Sequence, residues 1–146
     1  MKGRRRGPRL VLGALSMAGL LISAYLTWIH YMGVAPICVG GSGGCETVQT
    51  SSYATILGVP VAVVGLMGYS GLLFSASLRG AAGVYLGFLV ALVGTFFSAY
   101  LTYLEVFVIH AICEWCVASA AVMVAALLCA ALGVWHLAKE NQAVER

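Results

Sequence analysis

Cys113-Glu114-Trp115-Cys116 stands directly before an apolar run, Val117 to Ala138, that is long enough to be a transmembrane helix. Cysteines three positions apart share one face of a helix and can form a small, reducible disulfide ring. In the first turn of a helix, unpaired N–H groups and the positive end of the helix dipole favour the thiolate, which is the form that exchanges disulfides. This stretch therefore predicts a redox-active pair at the head of a membrane-spanning helix.

The composition of the whole chain also indicates a membrane protein. Of its 146 residues, 62% are hydrophobic and only 9% are charged, whereas a soluble domain carries about 25% charged residues. Such a deficit excludes a water-soluble surface, and the length allows about four spanning helices and little else. We expect a single all-α membrane domain over residues 1–146, with no nucleic-acid partner.

Four apolar runs define the helices of the predicted bundle, at about 10–31, 59–78, 81–109 and 117–138. We interpret the first run as a retained helix rather than a cleaved signal peptide, because it exceeds the about 7–15 apolar residues usual in a signal. The segment of about 32–58 then forms a cysteine-bearing outer loop between the first two helices.

The basic residues predict the orientation of this bundle. All eight Lys and Arg lie in 1–9, at Arg79 or in 139–146, whereas the connections 32–58 and 110–116 contain none. The positive-inside rule then places both termini in the cytoplasm and the other two connections on the outer, oxidising side. The extracytoplasmic cysteines are Cys38, Cys45, Cys113 and Cys116.

The first cysteine pair brackets a glycine-rich segment. Residues 40–44 read Gly-Gly-Ser-Gly-Gly, which is typical of a flexible tether, so Cys38 and Cys45 can close a small loop and Cys45 can also swing away. Three hypotheses for the four cysteines stay open: a two-disulfide relay, a four-thiolate zinc site in a non-enzymatic protein, or two structural disulfides. The relay is favoured and metal is not expected, because a tether suits exchange better than a rigid metal cage.

An internal repeat supports a relay between two related hairpins. Ser-Ala-Tyr-Leu-Thr occurs at 23–27 and again at 98–102, and the same offset of 75 residues separates Ile37-Cys38 from Ile112-Cys113. In the relay, a reduced partner is oxidised at the first pair, Cys45 then attacks Cys113, and Cys116 is released as a thiolate.

Electrons leaving the second pair need an acceptor. Val117 stands where a C-x-x-C-H haem site would have histidine. A lipid-soluble quinone held near Cys116 fits better. Phe97, Tyr100 and Trp115 are candidates for its pocket, although the aromatic belt of membrane helices would also explain them.

An ordered set of motifs resembles the vitamin K epoxide reductase-like membrane thiol oxidoreductases, in their bacterial form. The resemblance covers about residues 10–137 and rests on the loop pair Cys38/Cys45, Ser51 six residues later, Tyr53-Ala54, Gly58-Val59-Pro60, Ser98-x-Tyr100-Leu101 and the C-x-x-C at the head of the last helix. Each motif is weak alone, but in this order they are specific.

This resemblance implies a four-helix bundle around ubiquinone or menaquinone in a bacterial inner (plasma) membrane. It implies that Cys45 exchanges with Cys113 while Cys116 contacts the quinone, with Ser51, or Ser52 beside it, as the family serine in the quinone pocket. Bacterial members oxidise a periplasmic thioredoxin-like protein that inserts disulfides into exported proteins. We expect a separate partner of this kind, because no fused thioredoxin-like domain follows the bundle.

Four residues outside these motifs also carry expectations. The animal enzyme has a tyrosine four residues after its C-x-x-C, and Ala120 here argues against the alternative function of a vitamin K epoxide reductase proper. A carboxylate near a helix end in lipid must be solvated or used, and for Glu105 we favour solvation at the outer interface. His110 is expected at headgroup level, with proton relay as the alternative, and Cys129 as a small buried side chain.

Overall fold

A computed structural model of the protein describes residues 6–38, 41 and 43–144. In chain order its elements are α1 (Arg6–Met32), α2 (Gly44–Thr50), a 3₁₀ turn (Ser52–Ala54), β1 (Thr55–Ile56), β2 (Val59–Pro60), α3 (Val61–Ser77), α4 (Ala81–Leu104), a π-helical turn (Glu105–Ile109) and α5 (Glu114–Val144). Residues 39, 40 and 42, of which 40 and 42 belong to the predicted tether at 40–44, lie outside the described residues.

A small hairpin changes the start of the second long helix. The strands β1 and β2 pair antiparallel, with Thr55 opposite Pro60 and Ile56 opposite Val59. Leu57 and Gly58 between them both have positive φ, 52° and 80°, as a tight two-residue hairpin turn requires. Because Val59 and Pro60 belong to this hairpin, α3 begins at Val61 rather than at 59.

The four long helices pack around a core at the centre of the bundle. The helix α1 contacts α3 and α5, and α4 contacts the same two helices. Tyr69 of α3 is buried at the centre, where its hydroxyl donates to the Ser119 carbonyl at 2.7 Å. Gly19 of α1 lies directly against the Tyr69 ring, where a Cβ would collide with it. A residue without a side chain therefore sets the approach of α1 to α3.

The apolar surface of the described helices suits a membrane. Three of them are long and apolar enough to cross one: Gly7–Met32, Ala81–Ile109 and Glu114–Val144. The fourth, α3, is apolar but has 17 residues, which is the short end of the about 17–25 residues that span a bilayer. The predicted helical, membrane-embedded character is thus supported, whereas the crossing of α3 stays a prediction.

The basic residues that are described gather at one end of the bundle. The Arg9 guanidinium, near the start of α1, donates to the carbonyls of Ala76 and Leu78 at 2.8 Å each, at the end of α3 and beside Arg79. Cys129, partly buried in α5, donates its thiol to the Pro8 carbonyl at the same end. The cysteine-bearing connections lie at the opposite ends of these helices.

Candidate redox site

The two predicted cysteine pairs meet in one buried cluster. Cys38 and Cys45 are joined by a disulfide, whereas Cys113 and Cys116 are free thiols. Cys45 and Cys113 are both 0% exposed and pack together with Val48 of α2, and Cys38 and Cys116 pack against them. The bonded outer pair therefore lies beside the free pair at the head of α5, with Cys45 and Cys113 out of contact with solvent and Cys38 and Cys116 partly buried.

The backbone of α2 brings the outer pair to this position. Gly44, directly before Cys45, lies against the carbonyl oxygen of Ile112, directly before Cys113, and a Cβ at position 44 would collide with that oxygen. Only glycine permits this approach of two chain segments. Gly44 was predicted to belong to a flexible tether, whereas in the structure it is the first residue of α2 and makes a close backbone contact.

Two aromatic residues hold the other side of the outer loop. The Trp115 indole N–H donates to the Ile37 carbonyl at 2.9 Å, and the Ile37 N–H donates to the Tyr25 hydroxyl at 3.2 Å. The Tyr25 and Trp115 rings pack with centroids 5.0 Å apart. Because Ile37 directly precedes Cys38, these contacts fix that cysteine against α1 and α5.

The second pair straddles the start of α5. Cys113 precedes the helix and its carbonyl accepts the Val117 N–H at 3.0 Å, while Cys116 lies within the first turn. A hydrogen bond from the Cys116 thiol lowers the pKa of Cys113, and this outweighs burial and the nearby Glu105 charge, which both raise it. Cys113 is thus the sulfur of the pair that more readily becomes a thiolate.

Glu105 joins this pair, contrary to the sequence-based expectation. The prediction of a solvated carboxylate was wrong, because Glu105 is 3% exposed. Its Oε2 accepts the Cys113 backbone N–H at 3.1 Å, and its carboxylate lies beside the Cys116 side chain. The π-helical turn that starts at Glu105 aims its side chain at the start of α5, and such turns often occur at functional sites. His110 closes this turn with a φ of 54° and is exposed.

A cavity of about 530 Å³ opens below the cysteines, between all four long helices and the outer segment 48–54. Its wall is mainly apolar and includes Cys116, with a few polar groups such as Gln49, Ser119 and Glu105. Ligand pockets of about 300–1,000 Å³ with apolar walls and few polar groups are typical of sites for flat organic molecules. The volume and the apolar wall suit a small ring compound, and Cys116 is part of that wall.

The predicted pocket residues divide between the cavity and its surroundings. Ser51 and Phe97 line the cavity, and Ser51 Oγ donates to the Val48 carbonyl at 2.7 Å. Ser52, the other candidate serine, is exposed. Tyr100 is 53% exposed on another face of α4, and Trp115 is directed toward the outer loop. Neither of these two aromatic residues lines the cavity.

The internal repeat has a structural counterpart on two sides of this cavity. Ser23 and Leu26 line it from α1, and Ser98 and Leu101 line it from α4. In each copy the threonine hydroxyl at the end of the motif donates to the carbonyl of that serine, at 2.7 Å in α1 and 2.9 Å in α4. Each copy of the repeat thus contributes a serine and a leucine to the wall of the same cavity.

Comparison with known proteins agrees with this geometry. The profile of the vitamin K epoxide reductase family matches residues 10–131. The chain belongs to this family. Over 50 residues, 34% of this chain, it is also 40% identical to "Thiol-disulfide oxidoreductase LTO1" of Arabidopsis thaliana, of which the match covers 13%. The chain therefore spans a small part of that relative. Membership confirms the predicted family and accords with the helical, apolar fold of a multi-pass membrane protein.

Proposed function

We propose that this protein is a thiol:quinone oxidoreductase that reoxidises a thioredoxin-like partner and so supports disulfide formation in exported proteins. The observation that carries the proposal is the shared burial of Cys45 and Cys113 in one cluster, above an apolar cavity that has Cys116 in its wall. The name of the plant relative, a thiol-disulfide oxidoreductase, supports the same class of reaction.

Electrons enter at the outer pair. A dithiol on the partner reduces the Cys38–Cys45 disulfide, and Cys45, as a thiolate, attacks Cys113 in a Cys113–Cys116 disulfide. Resolution by Cys38 restores the outer disulfide and leaves Cys113 and Cys116 reduced. The bonded outer pair and free inner pair of the structure correspond to this stage, at which both electrons have reached the inner pair.

The cavity is the proposed site of the quinone, ubiquinone or menaquinone from the membrane pool. When bound there, the quinone supplies an acceptor for two electrons and two protons. Phe97 offers an aromatic face for the ring, and Ser51 lies in the outer wall. Trp115, in contrast, holds the outer loop, and Tyr100 faces away, so we assign neither to quinone binding.

We further propose that all four long helices cross a bacterial inner membrane, with the cysteines outside and both termini in the cytoplasm. The contact of Arg9 with the end of α3, next to Arg79, supports a shared basic end, which the positive-inside rule assigns to the cytoplasm. In whole cells, an impermeant maleimide should label a cysteine that replaces the exposed hairpin residue Leu57. Labelling only after membrane disruption would contradict this orientation.

Quinone reduction by the purified protein tests the proposed activity directly. With dithiothreitol as donor and each quinone in turn, Cys116→Ser should abolish reduction, whereas Cys38→Ser should retain it because a small dithiol can reduce the inner pair itself. Cys129→Ser is the control, since this thiol lies at the opposite end of the bundle. Equal loss in the Cys38 and Cys116 variants would contradict the order of the relay.

Two further measurements separate the alternatives. Stoichiometric zinc with four reduced thiols and no quinone reduction would favour a metal-binding protein. Turnover of vitamin K epoxide would favour a reductase of the animal type, which Ala120 at the family's tyrosine position argues against.

A further inference from the structure

Glu105 is a buried carboxylate in direct contact with the inner cysteine pair. It is 3% exposed, and its carboxylate accepts the Cys113 backbone N–H and lies beside the Cys116 side chain. Glu105 and Cys116 also line the same cavity. Burying a carboxylate within a membrane is energetically costly, so such residues usually have a function. The disulfide exchange described above assigns no function to Glu105.

We propose that Glu105 is the internal proton acceptor for Cys116, and that it passes this proton into the cavity when the inner pair is oxidised. This inference rests on the proposed function, because it takes the quinone in the cavity as the final acceptor. In this role Glu105 acts as a general base toward a reacting atom, the sulfur of Cys116.

The reaction balances with one proton from the protein and one from water. Before the step Cys113 is a thiolate and Cys116 a thiol. The Cys113–Cys116 bond forms, two electrons pass to the quinone, and the Cys116 proton travels through Glu105 to one quinone oxygen. The second quinone oxygen takes its proton from water, and the hydroxide that is left carries the negative charge that Cys113 held before the step.

The position of Glu105 suits both halves of this transfer. The Cys113 N–H and the positive end of the α5 dipole offset part of the cost of burying negative charge on the carboxylate beside the thiol. Within the described residues it is the one carboxylate in the cavity wall. Among the other titratable side chains, Tyr53, Tyr69 and Cys116 line the cavity and Cys113 is buried beside it, whereas Glu46, His110 and Glu114 of the neighbouring elements are exposed and lie outside its wall.

The substitution Glu105→Gln separates proton transfer from a purely structural role. Glutamine keeps an oxygen that can accept the Cys113 N–H, so a residue that only caps α5 would tolerate it. If Glu105 is the base, quinone reduction with dithiothreitol should fall roughly 100-fold at neutral pH, since general bases contribute about 10²–10⁴-fold. The remaining rate should rise about tenfold per pH unit, because hydroxide must replace the missing base. Wild-type reduction should depend far less on pH.

Two variants accompany this measurement. Glu46→Gln removes an exposed carboxylate from α2 and should leave the rate and pH profile unchanged. Glu105→Asp keeps a carboxylate on a shorter arm and should keep the shallow profile at a reduced rate. Thermal unfolding in detergent identifies variants that fail to fold. If Glu105→Gln fails to fold, the aspartate variant decides: a steep dependence of its quinone reduction rate on pH would overturn the proposal.

Infrared difference spectroscopy provides a readout that needs no quinone. Reducing the inner pair with a dithiol creates the Cys116 thiol beside Glu105, so a carboxylate band should shift in wild type and Glu46→Gln but not in Glu105→Gln. A shift without any quinone reduction would refute the proposed acceptor and leave the contact intact. Quinone reduction with a wild-type pH profile in Glu105→Gln would refute the role of Glu105 and leave the proposed function intact.

Discussion

Gly44 and Ile112 lie in backbone contact, each directly before a cysteine of the proposed relay. The contact brings the residue before Cys45 against the residue before Cys113, and both cysteines are buried beside it. Disulfide exchange requires one sulfur to reach another in line, so the distance between these chain segments controls the transfer. We therefore expect the absence of a side chain at Gly44 to influence the rate of disulfide exchange between the two pairs.

Gly44→Ala should therefore slow exchange between the pairs. In a Cys38→Ser/Cys116→Ser background, Cys45 and Cys113 are expected to form a disulfide with each other under mild oxidation. The added methyl group would push α2 away from Ile112 and slow this bond roughly tenfold or more, because small displacements of reacting groups are costly. Counting free thiols with a maleimide over time measures the rate.

The control for this prediction lies in the same short helix. Glu46→Ala alters an exposed side chain of α2 and should leave the rate unchanged. Alanine favours a helix more than glycine does, so loss of α2 itself would not explain a slower Gly44→Ala variant. Equal rates in all three proteins would show that α2 does not control the approach of the sulfurs.

Much of this arrangement could be predicted from local patterns. The C-x-x-C before an apolar run identified the head of α5. The basic residues Arg9 and Arg79 indicated that the start of α1 and the end of α3 lie at the same end of the bundle, and the contact of Arg9 with α3 supports this. The close packing of Gly44 could not be predicted in this way, because a glycine in a flexible segment and a glycine in a tight contact look alike in sequence.

Helical phase explains which residues at the end of α4 and in the turn after it line the cavity. Ser98 faces the cavity, and the residues three, four and seven positions later share its face on a helix. These are Leu101, Thr102 and Glu105, which all line the cavity. Tyr100 is two positions from Ser98 and therefore points elsewhere. Extending the period from Ser98 would have identified Glu105, although its hydrogen bond to Cys113 depends on the π-helical turn that follows.

The lowered pKa of Cys113 gives a prediction about pH. Its main cause is the hydrogen bond from Cys116, so Cys116→Ala should raise the pKa of Cys113. A thiol with a lowered pKa becomes a thiolate at lower pH, and loss of the donor should move this transition to higher pH. Site-specific alkylation of Cys113 by iodoacetamide, measured by mass spectrometry across pH, reports the shift when Cys38, Cys45 and Cys129 are serine.

Serine at position 116 is the matched variant for this titration. Cys116→Ser keeps a hydroxyl that can donate to Cys113, so its alkylation profile should lie at lower pH than that of Cys116→Ala. Both variants lack the second sulfur and cannot form the inner disulfide, so a difference between them reports the donor alone. Coincident profiles would mean that burial or the Glu105 charge, rather than Cys116, dominates at Cys113.

The contact between Gly19 and Tyr69 offers a test of the bundle itself. Gly19→Ala would force the Tyr69 ring from its place and weaken its hydrogen bonds to Ser119, so the free energy of unfolding should fall by about 1–3 kcal/mol, as overpacking usually costs. Gly13→Ala makes the same exchange in α1 at a position with no atom within 4 Å, and should not destabilise the protein. Thermal unfolding in detergent compares the two variants. Because Tyr69 also lines the cavity, Gly19→Ala should lower quinone reduction as well. If Gly13→Ala and Gly19→Ala unfold at the same temperature, displacement of the Tyr69 ring does not destabilise the bundle.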